Sequence, residues 1–384
     1  MSAPGTDTAN YTPPDGDGIA VVTLDHFPVN SLSRNVTNGC TLAILEIEKD
    51  PNVKGVVVHG AGRCFCAGAD ISEFGADGGP EVVDLGRAKT DMLGFEGLEV
   101  PVVAAIHGYA LGGGLEAALG CHYRVIDEDS AVGLPEVNIG LLPGGQGTQR
   151  LPRLIGCEAA LELMTSGDHV PAPQALEWQV VDQIVTAGSD MVTAAKEFCK
   201  TKIGQPTPKI VAMPPPAPNA DFGAWETNMA KARPGEIAPQ AIIRCVQGAV
   251  AGPTFKDGDK VEKSEFAVLV KSPESNALRH MFFAERAGAK VDGLKVKPTP
   301  IQKVGIVGAG LMGGGIGMSC AEAGLDVIML DINEEGIARN SLVYCRATAV
   351  LTTFFAFAGL PWLRPEEGPR ADSVKLQSLS PAHR

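Results

Sequence analysis

The sequence contains no Cys-x-x-Cys pair, and among its nine cysteines only Cys64 and Cys66 stand close together. An odd set of scattered cysteines in apolar surroundings does not form a disulfide framework and indicates a reducing compartment. The seven histidines also lack paired ligand spacing. We therefore predict neither a structural nor a catalytic metal site.

Long apolar runs and charge blocks are absent as well. The longest apolar run outside the glycine-rich regions, 347–360, is too short to span a bilayer, so no membrane span is predicted. Residues 1–17 lack the basic and apolar order of a signal peptide and are predicted to be a flexible leader. A net charge of −13, with the acidic residues spread along the chain, argues against a nucleic-acid partner.

What is present is alternation of strand and helix patterns. Buried strands are predicted at 19–24, 53–59 and 102–106, with a helix at 33–48 between the first two. At 384 residues the chain has room for two or three domains. The fold class is therefore α/β, with ligand sites in the loops that leave the strand ends.

Helical patterns continue at 149–166 and 172–179, before a proline-rich break at 204–218 that we interpret as a domain boundary. Helical spacing returns at 221–251 and 264–289, and a second linker follows at 295–300. The predicted organisation begins with a leader at 1–17 and a core at 18–203. A break with linker helices at 204–297, a nucleotide-binding unit at 298–340 and a tail at 341–384 follow.

Two loops carry small residues next to a carboxylate: Cys66-Ala-Gly-Ala-Asp70 and Gly112-Gly-Gly-Leu-Glu116. Small residues let a ligand approach the backbone, so amide N–H groups can point at an oxygen. The predicted donors are Ala69 and Gly113, and Gly113 would begin a helix whose dipole favours negative charge. A thioester carbonyl oxygen suits such a pocket.

Glu116 and Glu136 are the candidate acid and base. Two carboxylates in an apolar cleft can hold different protonation states, so one can donate a proton while the other accepts one. The alternative is that the glycines only permit tight helix packing and that both glutamates are ordinary surface residues. Asp70 is a third acid, for which we predict a structural role as a cap of its loop.

The motifs Phe65-Cys-Ala-Gly-Ala-Asp-Ile71, Gly108-Tyr-Ala-Leu-Gly-Gly-Gly-Leu-Glu116 and Leu134-Pro-Glu-Val-Asn-Ile-Gly-Leu-Leu-Pro-Gly-Gly145 resemble the enoyl-CoA hydratases of the crotonase superfamily. The resemblance covers about residues 18–200. It implies a spiral of ββα repeats and an acyl-CoA thioester substrate whose carbonyl oxygen is held by Ala69 and Gly113.

Carboxylates at both glutamate positions are similar to the hydratase pattern and unlike most single-acid isomerases. The resemblance thus implies hydration of a trans-2-enoyl-CoA. We assign Glu116 to orienting water and Glu136 to protonating C2; the alternative is that both carboxylates hold the same water and exchange roles between the forward and reverse directions. Hydration requires no cofactor, because CoA is part of the substrate. Isomerisation between 3-enoyl and 2-enoyl thioesters can reuse Glu136 and the same pocket. A non-catalytic acyl-CoA binder is the remaining alternative.

A second motif lies near the C-terminus, where 303–307 is a predicted strand, Gly308-Ala-Gly-Leu-Met-Gly313 a turn, 314–324 a helix and 326–332 a strand ending in Asp331. Because the acid follows Gly308 by 23 residues, the complete pattern predicts a dinucleotide-binding βαβ unit. Gly308, Gly310 and Gly313 would admit the pyrophosphate of NAD, and Asp331 would bind the adenosine ribose.

The segment 272–313 resembles the junction of the multifunctional fatty-acid oxidation enzymes, of the peroxisomal bifunctional and bacterial α-subunit types. These join a hydratase to an NAD-dependent 3-hydroxyacyl-CoA dehydrogenase. After Asn340 the pattern fails, and 341–384 is predicted to be a divergent, disordered tail without further strand–helix alternation. We expect a truncated dehydrogenase without activity, and we do not propose His383 as a catalytic residue. The alternatives are a bifunctional enzyme that also carries the dehydrogenase activity and an inactive fragment that does not fold stably.

Location and assembly follow only from this resemblance. It implies a peroxisomal enzyme, although the C-terminal Ala382-His-Arg384 is not a Ser-Lys-Leu address, and a cytoplasmic location is the alternative. Free-standing relatives form oligomers, whereas multifunctional ones fold back on their own linker helices. Both a monomer and a homo-oligomer therefore remain open.

Overall fold

The computed structural model describes residues 8–74, 92–288, 299–331 and 374–378. The chain divides into two compact units, residues 1–290 and 291–384.

A six-stranded sheet forms the centre of the first unit, with strand order β1-β2-β3-β4-β6-β9. Only β1 is antiparallel to its neighbour, and the other pairs are parallel. A smaller sheet has the order β5-β7-β8. In chain order β1 to β9 are Thr8–Thr12, Ile19–Asp25, Gly55–Gly60, Val102–Ile106, Tyr109–Leu111, Tyr123–Asp127, Ala131–Gly133, His169–Pro171 and Gln183–Val185.

The three strands predicted from sequence are confirmed as β2, β3 and β4. Valine, alanine and isoleucine predominate in them, and Thr23, Asp25 and His59 are the polar exceptions. Such a composition is typical of parallel strands covered on both faces. Val56 pairs with Val102 and Val58 with Ala104, and all four side chains are buried. This sheet places the loops after β3 and β4 at the same edge, because both strands run in the same direction.

Ten α-helices surround these sheets in the described part of the first unit. In chain order α1 to α10 are Arg34–Lys49, Gly113–Leu119, Gly147–Ile155, Cys157–Ser166, Ala172–Glu177, Met191–Lys200, Phe222–Ala232, Ala238–Ala251, Phe255–Leu269 and Pro273–Gly288. Among the described residues, no helix combines the length and apolar character needed to cross a bilayer.

The helix predicted at 33–48 is confirmed as α1, whose N-cap is Ser33 with Oγ accepting the Val36 N–H at 3.3 Å. The helical stretch predicted at 149–166 is divided into α3 and α4. Gly156 separates them because its φ of +83° takes the backbone out of the helical region.

The predicted flexible leader is wrong from Thr8 onward, since β1 pairs with β2 from Thr8↔Asp25 to Thr12↔Val21. Backbone hydrogen bonds hold this edge strand and do not require apolar side chains. Its polar composition therefore gave no strand signal in the sequence. Asp17 also forms an ion pair with Lys196 of α6, in which Asp17 Oδ2 lies 3.0 Å from Lys196 Nζ. Residues 1–7 lie outside the described residues.

The proline-rich break at 204–218 does not separate two cores. Ala241, Ile242 and Val246 of α8 are fully buried in the cluster that also contains the residues of the main sheet. Within the break, the Val211 N–H donates to Glu96 Oε1 at 3.2 Å. The linker helices therefore belong to the first unit.

The second unit contains β10 (Lys303–Val307), α11 (Leu311–Glu322), β11 (Asp326–Asp331) and β12 (Val374–Ser378). The three strands are parallel, in the order β10-β11-β12. The predicted strand–turn–helix–strand unit is confirmed. No sequence signal indicated β12, which lies beyond Asn340, where the predicted alternation of strands and helices ends. Its sequence Val-Lys-Leu-Gln-Ser is too short to be distinguished from a loop by pattern. His383 lies outside the described residues.

Candidate active site

The first site loop follows β3 and carries Ala69. Leu32 and Ala69 form an isolated parallel β-bridge. In this bridge the Leu32 N–H donates to Gly68 O at 2.9 Å and the Leu32 O accepts the Asp70 N–H at 3.4 Å, so the hydrogen bonds use the residues on either side of Ala69. The Ala69 N–H points away from the bridge and has no partner among the described residues. Asp70 Oδ1 accepts two hydrogen bonds from Ser72, from its N–H at 3.0 Å and from its hydroxyl at 2.6 Å. Asp70 therefore caps its loop, as predicted.

The second loop follows β4 and ends where α2 begins, at Gly113 as predicted. A Cβ atom built on Gly113 would lie 3.1 Å from Ala69 N, so the two residues are neighbours. Gly113 occupies the first helical turn, where N–H groups have no partner within the helix. The structure thus brings together the two predicted donors, Ala69 and Gly113, on one side of a narrow space.

Glu116 projects from α2 and is 2% exposed. Its Oε1 accepts two backbone N–H groups, from Gly145 and Gly147, each at 2.7 Å. Burial raises the pKa of this carboxyl to about 7, opposed by the two amide hydrogen bonds and by the positive charge of Arg150. Glu116 can therefore exchange a proton near neutral pH.

Glu136 lies in a 3-10 helix, Pro135–Ile139. The residue is half-buried, but its Oε2 is fully buried and has no hydrogen-bond partner among the described residues. Burial and then the charge of Glu116 raise the pKa of Glu136 well above its usual range, and the charge of Glu262 adds to this effect. This shift favours the protonated form of Glu136, which has a proton to donate.

Gly112 permits the close approach of Glu136. Its φ of +54° lies in the left-handed region, and a Cβ atom there would stand 2.8 Å from Glu136 Oε1. This glycine also contacts the first loop, because the same Cβ position is 3.8 Å from Gly68 Cα. Both carboxylates are thus adjacent to the residues that carry the two N–H donors.

Apolar groups close the space around these atoms. The Met92 methyl group lies 3.3 Å from the Cβ position of Gly113 and 2.9 Å from that of Gly145. Phe74 and Phe266 meet edge to face, with ring centroids 6.2 Å apart. This apolar surrounding explains why burial is the main cause of both raised pKa values.

Three features of the site were not predicted from sequence. Two of them are the Gly145 and Gly147 N–H groups, which donate to Glu116. The glycine-rich motif at 140–145 was the one sequence signal in this region, and it did not identify these donors. Glu262 of α9 is a third buried carboxylate, whose side chain reaches the turn that holds Glu116. Glu262 lies on a polar helix far along the chain from this turn, so no local pattern could indicate it.

The turn of the second unit is open enough for a dinucleotide. Gly308 has a φ of +105°, and a Cβ atom on Gly308 or Gly310 would meet nothing within 4 Å. At Gly313 a Cβ atom would collide with the Gly308 carbonyl oxygen, so glycine is required there. Asp331 Oδ2 accepts the Ala309 N–H at 2.5 Å and thereby holds the turn. These residues fit the pyrophosphate and ribose of NAD.

Metal ligands show no comparable cluster. Within the described ranges, no group of three or more His, Cys, Asp or Glu side chains is arranged to hold a metal ion.

Comparison with known proteins supports both units. The family model "Enoyl-CoA hydratase/isomerase" matches residues 15–227, and "3-hydroxyacyl-CoA dehydrogenase, NAD binding domain" matches residues 303–348. The chain is 39% identical to the peroxisomal bifunctional enzyme of Cavia porcellus over 332 residues, which cover 82% of this chain and 44% of that protein.

A bacterial relative is equally similar: the fatty acid oxidation complex subunit alpha of Shewanella amazonensis is 39% identical over 344 residues, which cover 85% of this chain and 48% of that subunit. The chain spans about half the length of the curated relatives it matches. The resemblance to multifunctional fatty-acid oxidation enzymes is thus confirmed.

Solved structures show the same fold. A carnitinyl-CoA dehydratase from Mycobacterium avium 104 superposes with a TM-score of 0.52 at 26% identity, covering 73% of this chain and 97% of that one. EchA1_1 from Mycobacterium paratuberculosis gives 0.51 at 26% identity, covering 71% and 94%. The predicted fold class, a crotonase-type core with a small Rossmann-like unit, is confirmed. The family match covers more than half of the chain, which therefore belongs to the enoyl-CoA hydratase/isomerase family.

Proposed function

We propose that this protein hydrates trans-2-enoyl-CoA to 3-hydroxyacyl-CoA in fatty-acid β-oxidation. The observation that carries the proposal is a pair of interacting carboxylates, Glu116 and Glu136, beside two backbone N–H groups that have no partner among the described residues. One carboxylate accepts two hydrogen bonds, whereas the buried oxygen of the other has no partner within the described part of the chain. An acid and a base are thus held next to a pocket for an oxyanion.

The Ala69 and Gly113 N–H groups hold the thioester carbonyl oxygen of the substrate. When water adds to C3, the electron pair of the double bond moves toward this oxygen and creates an enolate. Fixed N–H donors in an apolar site stabilise the developing charge without reorganisation, typically by about 3 kcal/mol for each donor.

The two carboxylates divide the proton transfers. Ionised Glu116 accepts a proton from water while the water oxygen bonds to C3. Neutral Glu136 then donates its proton to C2 as the enolate collapses. The proton gained by Glu116 replaces the one lost by Glu136, so each turnover adds one water molecule and consumes no cofactor.

Hydration of crotonyl-CoA by the full chain, followed as loss of enoyl absorbance, tests the proposal. Glu116→Gln is expected to lower kcat about 10³-fold, within the usual range for a general base. Binding of the substrate without turnover by the wild-type chain would instead identify a non-catalytic acyl-CoA binder.

Isomerisation of 3-enoyl-CoA to 2-enoyl-CoA is a second activity that we propose for the same site. Glu136 Oε2, which is buried and has no hydrogen-bond partner among the described residues, supports it, because the ionised form of this carboxyl group can accept a proton from C2 and return it to C4. Isomerisation needs no water, so Glu116→Gln should retain it while losing hydration. Equal loss of both activities in this variant would contradict the second activity.

For the second unit we propose binding of NAD through Gly308, Gly310, Gly313 and Asp331. NAD supplies a hydride acceptor when bound, but residues 299–331 and 374–378 contain no histidine that could act as the base. We expect the chain to bind NAD without forming NADH from 3-hydroxybutyryl-CoA. NADH formation by the purified chain would show that dehydrogenase activity is present.

We also propose a peroxisomal location, supported by the bifunctional relatives, although bacterial relatives are equally similar. Fluorescence of a tagged chain beside a peroxisomal marker tests it, and diffuse cytoplasmic signal would contradict it. Light scattering would distinguish the monomer from the homo-oligomer, both of which remain proposals.

A further inference from the structure

Glu262 is a buried carboxylate that the proposed chemistry does not use. It lies in α9 and is fully buried. Its Oε1 accepts the Gln146 N–H at 2.7 Å, and its Oε2 accepts the Thr148 hydroxyl at 2.5 Å. Both oxygens are therefore bound to one short turn, which leads into α3.

The same turn holds Glu116. The N–H groups of Gly145 and Gly147 point to Glu116, whereas the N–H of Gln146, between them, points to Glu262. Successive N–H groups thus alternate between a carboxylate of α2 and a carboxylate of α9. A shift of the turn would break the contacts of both glutamates together.

The turn requires an unusual backbone conformation. Gln146 has a φ of +77° and a ψ of 13°, the left-handed region that disfavours side chains other than glycine. Such a conformation is strained and persists only when its surroundings stabilise it. Glu262 stabilises the Gln146 backbone, and Arg150 holds the Gln146 side chain by donating to its Oε1 at 2.8 and 3.1 Å.

The neighbouring helix α10 makes analogous contacts with the other site loops. Ser275 donates its hydroxyl to Ile139 O at 3.0 Å, at the end of the 3-10 helix that carries Glu136. Arg279 Nη1 donates to Phe74 O at 3.0 Å, at the end of the loop that carries Ala69. The helices that follow the predicted break therefore contact three segments of the hydratase site: the 145–148 turn, the 3-10 helix that carries Glu136 and the loop that carries Ala69.

We propose that Glu262 is a positioning residue for hydration: it fixes the 145–148 turn so that the Gly145 and Gly147 N–H groups hold Glu116 in place. Glu262 acts through this turn and does not touch the substrate. The inference rests on the proposed hydratase function and extends it to a residue of the linker helices.

Gln is the appropriate conservative replacement. Burial, and then the charge of Glu116, raise the pKa of Glu262 well above its usual range, which favours the neutral carboxyl group. A glutamine at this position presents an oxygen to the Gln146 N–H and an amide N–H to Thr148 Oγ1. Geometry is retained, whereas alanine removes both contacts.

Crotonyl-CoA hydration by the full-length chain tests the proposal. Glu262→Ala is expected to lower kcat about 30-fold with KM within twofold, since misplacement of a catalytic group by about 1 Å can cost 10²-fold. Glu262→Gln should retain kcat within about threefold. Asp259→Asn on the same helix is the matched control, because Asp259 Oδ2 binds Lys263 and not the turn.

Thr148 supplies a second pair of variants if Glu262→Ala does not fold. Thr148→Val, which removes the hydroxyl donor to Glu262, should lower kcat about fivefold, whereas Thr148→Ser should restore it. Thermal denaturation of each variant establishes that the folded proteins are compared.

Four results would overturn the proposal: unchanged kcat in folded Glu262→Ala, equal losses in the Gln and Ala variants, a rise in KM with unchanged kcat, or equal kcat for the two Thr148 variants. Each presupposes a wild-type chain that hydrates crotonyl-CoA. Lack of wild-type activity would instead overturn the proposed function itself.

Discussion

At the scale of single residues, Glu116 and Glu136 are the same amino acid in different surroundings. Glu116 accepts two backbone N–H groups and lies near the charge of Arg150, so its ionised form is partly stabilised. Glu136 has a buried oxygen that no described residue contacts by a hydrogen bond, and it lies near the charge of Glu116. These contacts support the proposed roles of Glu116 as base and Glu136 as acid.

This difference predicts a bell-shaped dependence of kcat/KM on pH. Glu116 must be ionised to act, so the rate should fall about tenfold for each pH unit below its pKa of about 7. Glu136 must be protonated, so the rate should fall again above its raised pKa. Initial rates with crotonyl-CoA between pH 5 and 10 measure both limbs. A rate that is flat from pH 5 to 7 would contradict the role of Glu116.

Gly112→Ala should strongly reduce the rate of hydration. The methyl group would lie 2.8 Å from Glu136 Oε1, in a backbone conformation with φ +54°. We expect a loss of about 100-fold in kcat, comparable to a misplacement of about 1 Å.

Gly62→Ala is the matched control for this substitution. Gly62 has a φ of +71° but no atom within 4 Å of its Cβ position, so its replacement introduces strain without a collision. It should cost about 1 kcal/mol of stability and leave kcat unchanged. Similar kcat values for the two variants would show that contact with Glu136 is irrelevant.

At the scale of elements, α3 depends on a buried ion pair with the segment before β4. Arg150, fully buried, donates to the two oxygens of Glu96 at 3.0 and 2.9 Å. Glu96 also accepts the Val211 N–H, which ties the proline-rich break to the same pair. This contact explains in part why the break does not separate domains.

Glu96→Gln should lower the free energy of unfolding by about 3 kcal/mol, because it leaves the Arg150 guanidinium buried without its counter-charge. Denaturation by urea measures the loss. Glu46→Gln is the control, since the Glu46–Lys49 pair at 2.8 Å is exposed and worth at most about 0.5 kcal/mol. Equal stability of the two variants would contradict a structural role for the buried pair.

The sequence predicted the elements that local patterns encode. The strand 102–106, the start of α2 at Gly113 and the strand 303–307 all follow from valine runs and glycine positions. It did not predict β1 or β12, whose polar residues are held by backbone pairing with β2 and β11. Glu262 and the Gly145 and Gly147 donors depend on tertiary contacts, which no local pattern contains.

At the scale of the whole molecule, the catalytic unit extends to about residue 290 rather than to residue 203. The side chains of α8 fill the same core as the main sheet, and α9 and α10 contact the site loops. Removal of these helices would expose a large apolar surface.

Residues 1–290 produced alone should therefore fold and hydrate crotonyl-CoA with kcat within about twofold of the full chain, since the unit is compact by itself and has its own core. Residues 1–203 should aggregate or remain unfolded. Circular dichroism and the hydration assay on both fragments measure this difference. An active fragment 1–203 would show that the linker helices are dispensable.

The division of proton transfers between two carboxylates is tested most directly by Glu136→Gln in D₂O. Wild-type protein should convert crotonyl-CoA to 3-hydroxybutyryl-CoA with one deuterium at C2. The variant, which keeps the size of the side chain but has no proton to donate, should lose hydration about 10³-fold. Hydration by Glu136→Gln within tenfold of the wild-type rate, with deuterium still delivered to C2, would contradict the role of Glu136.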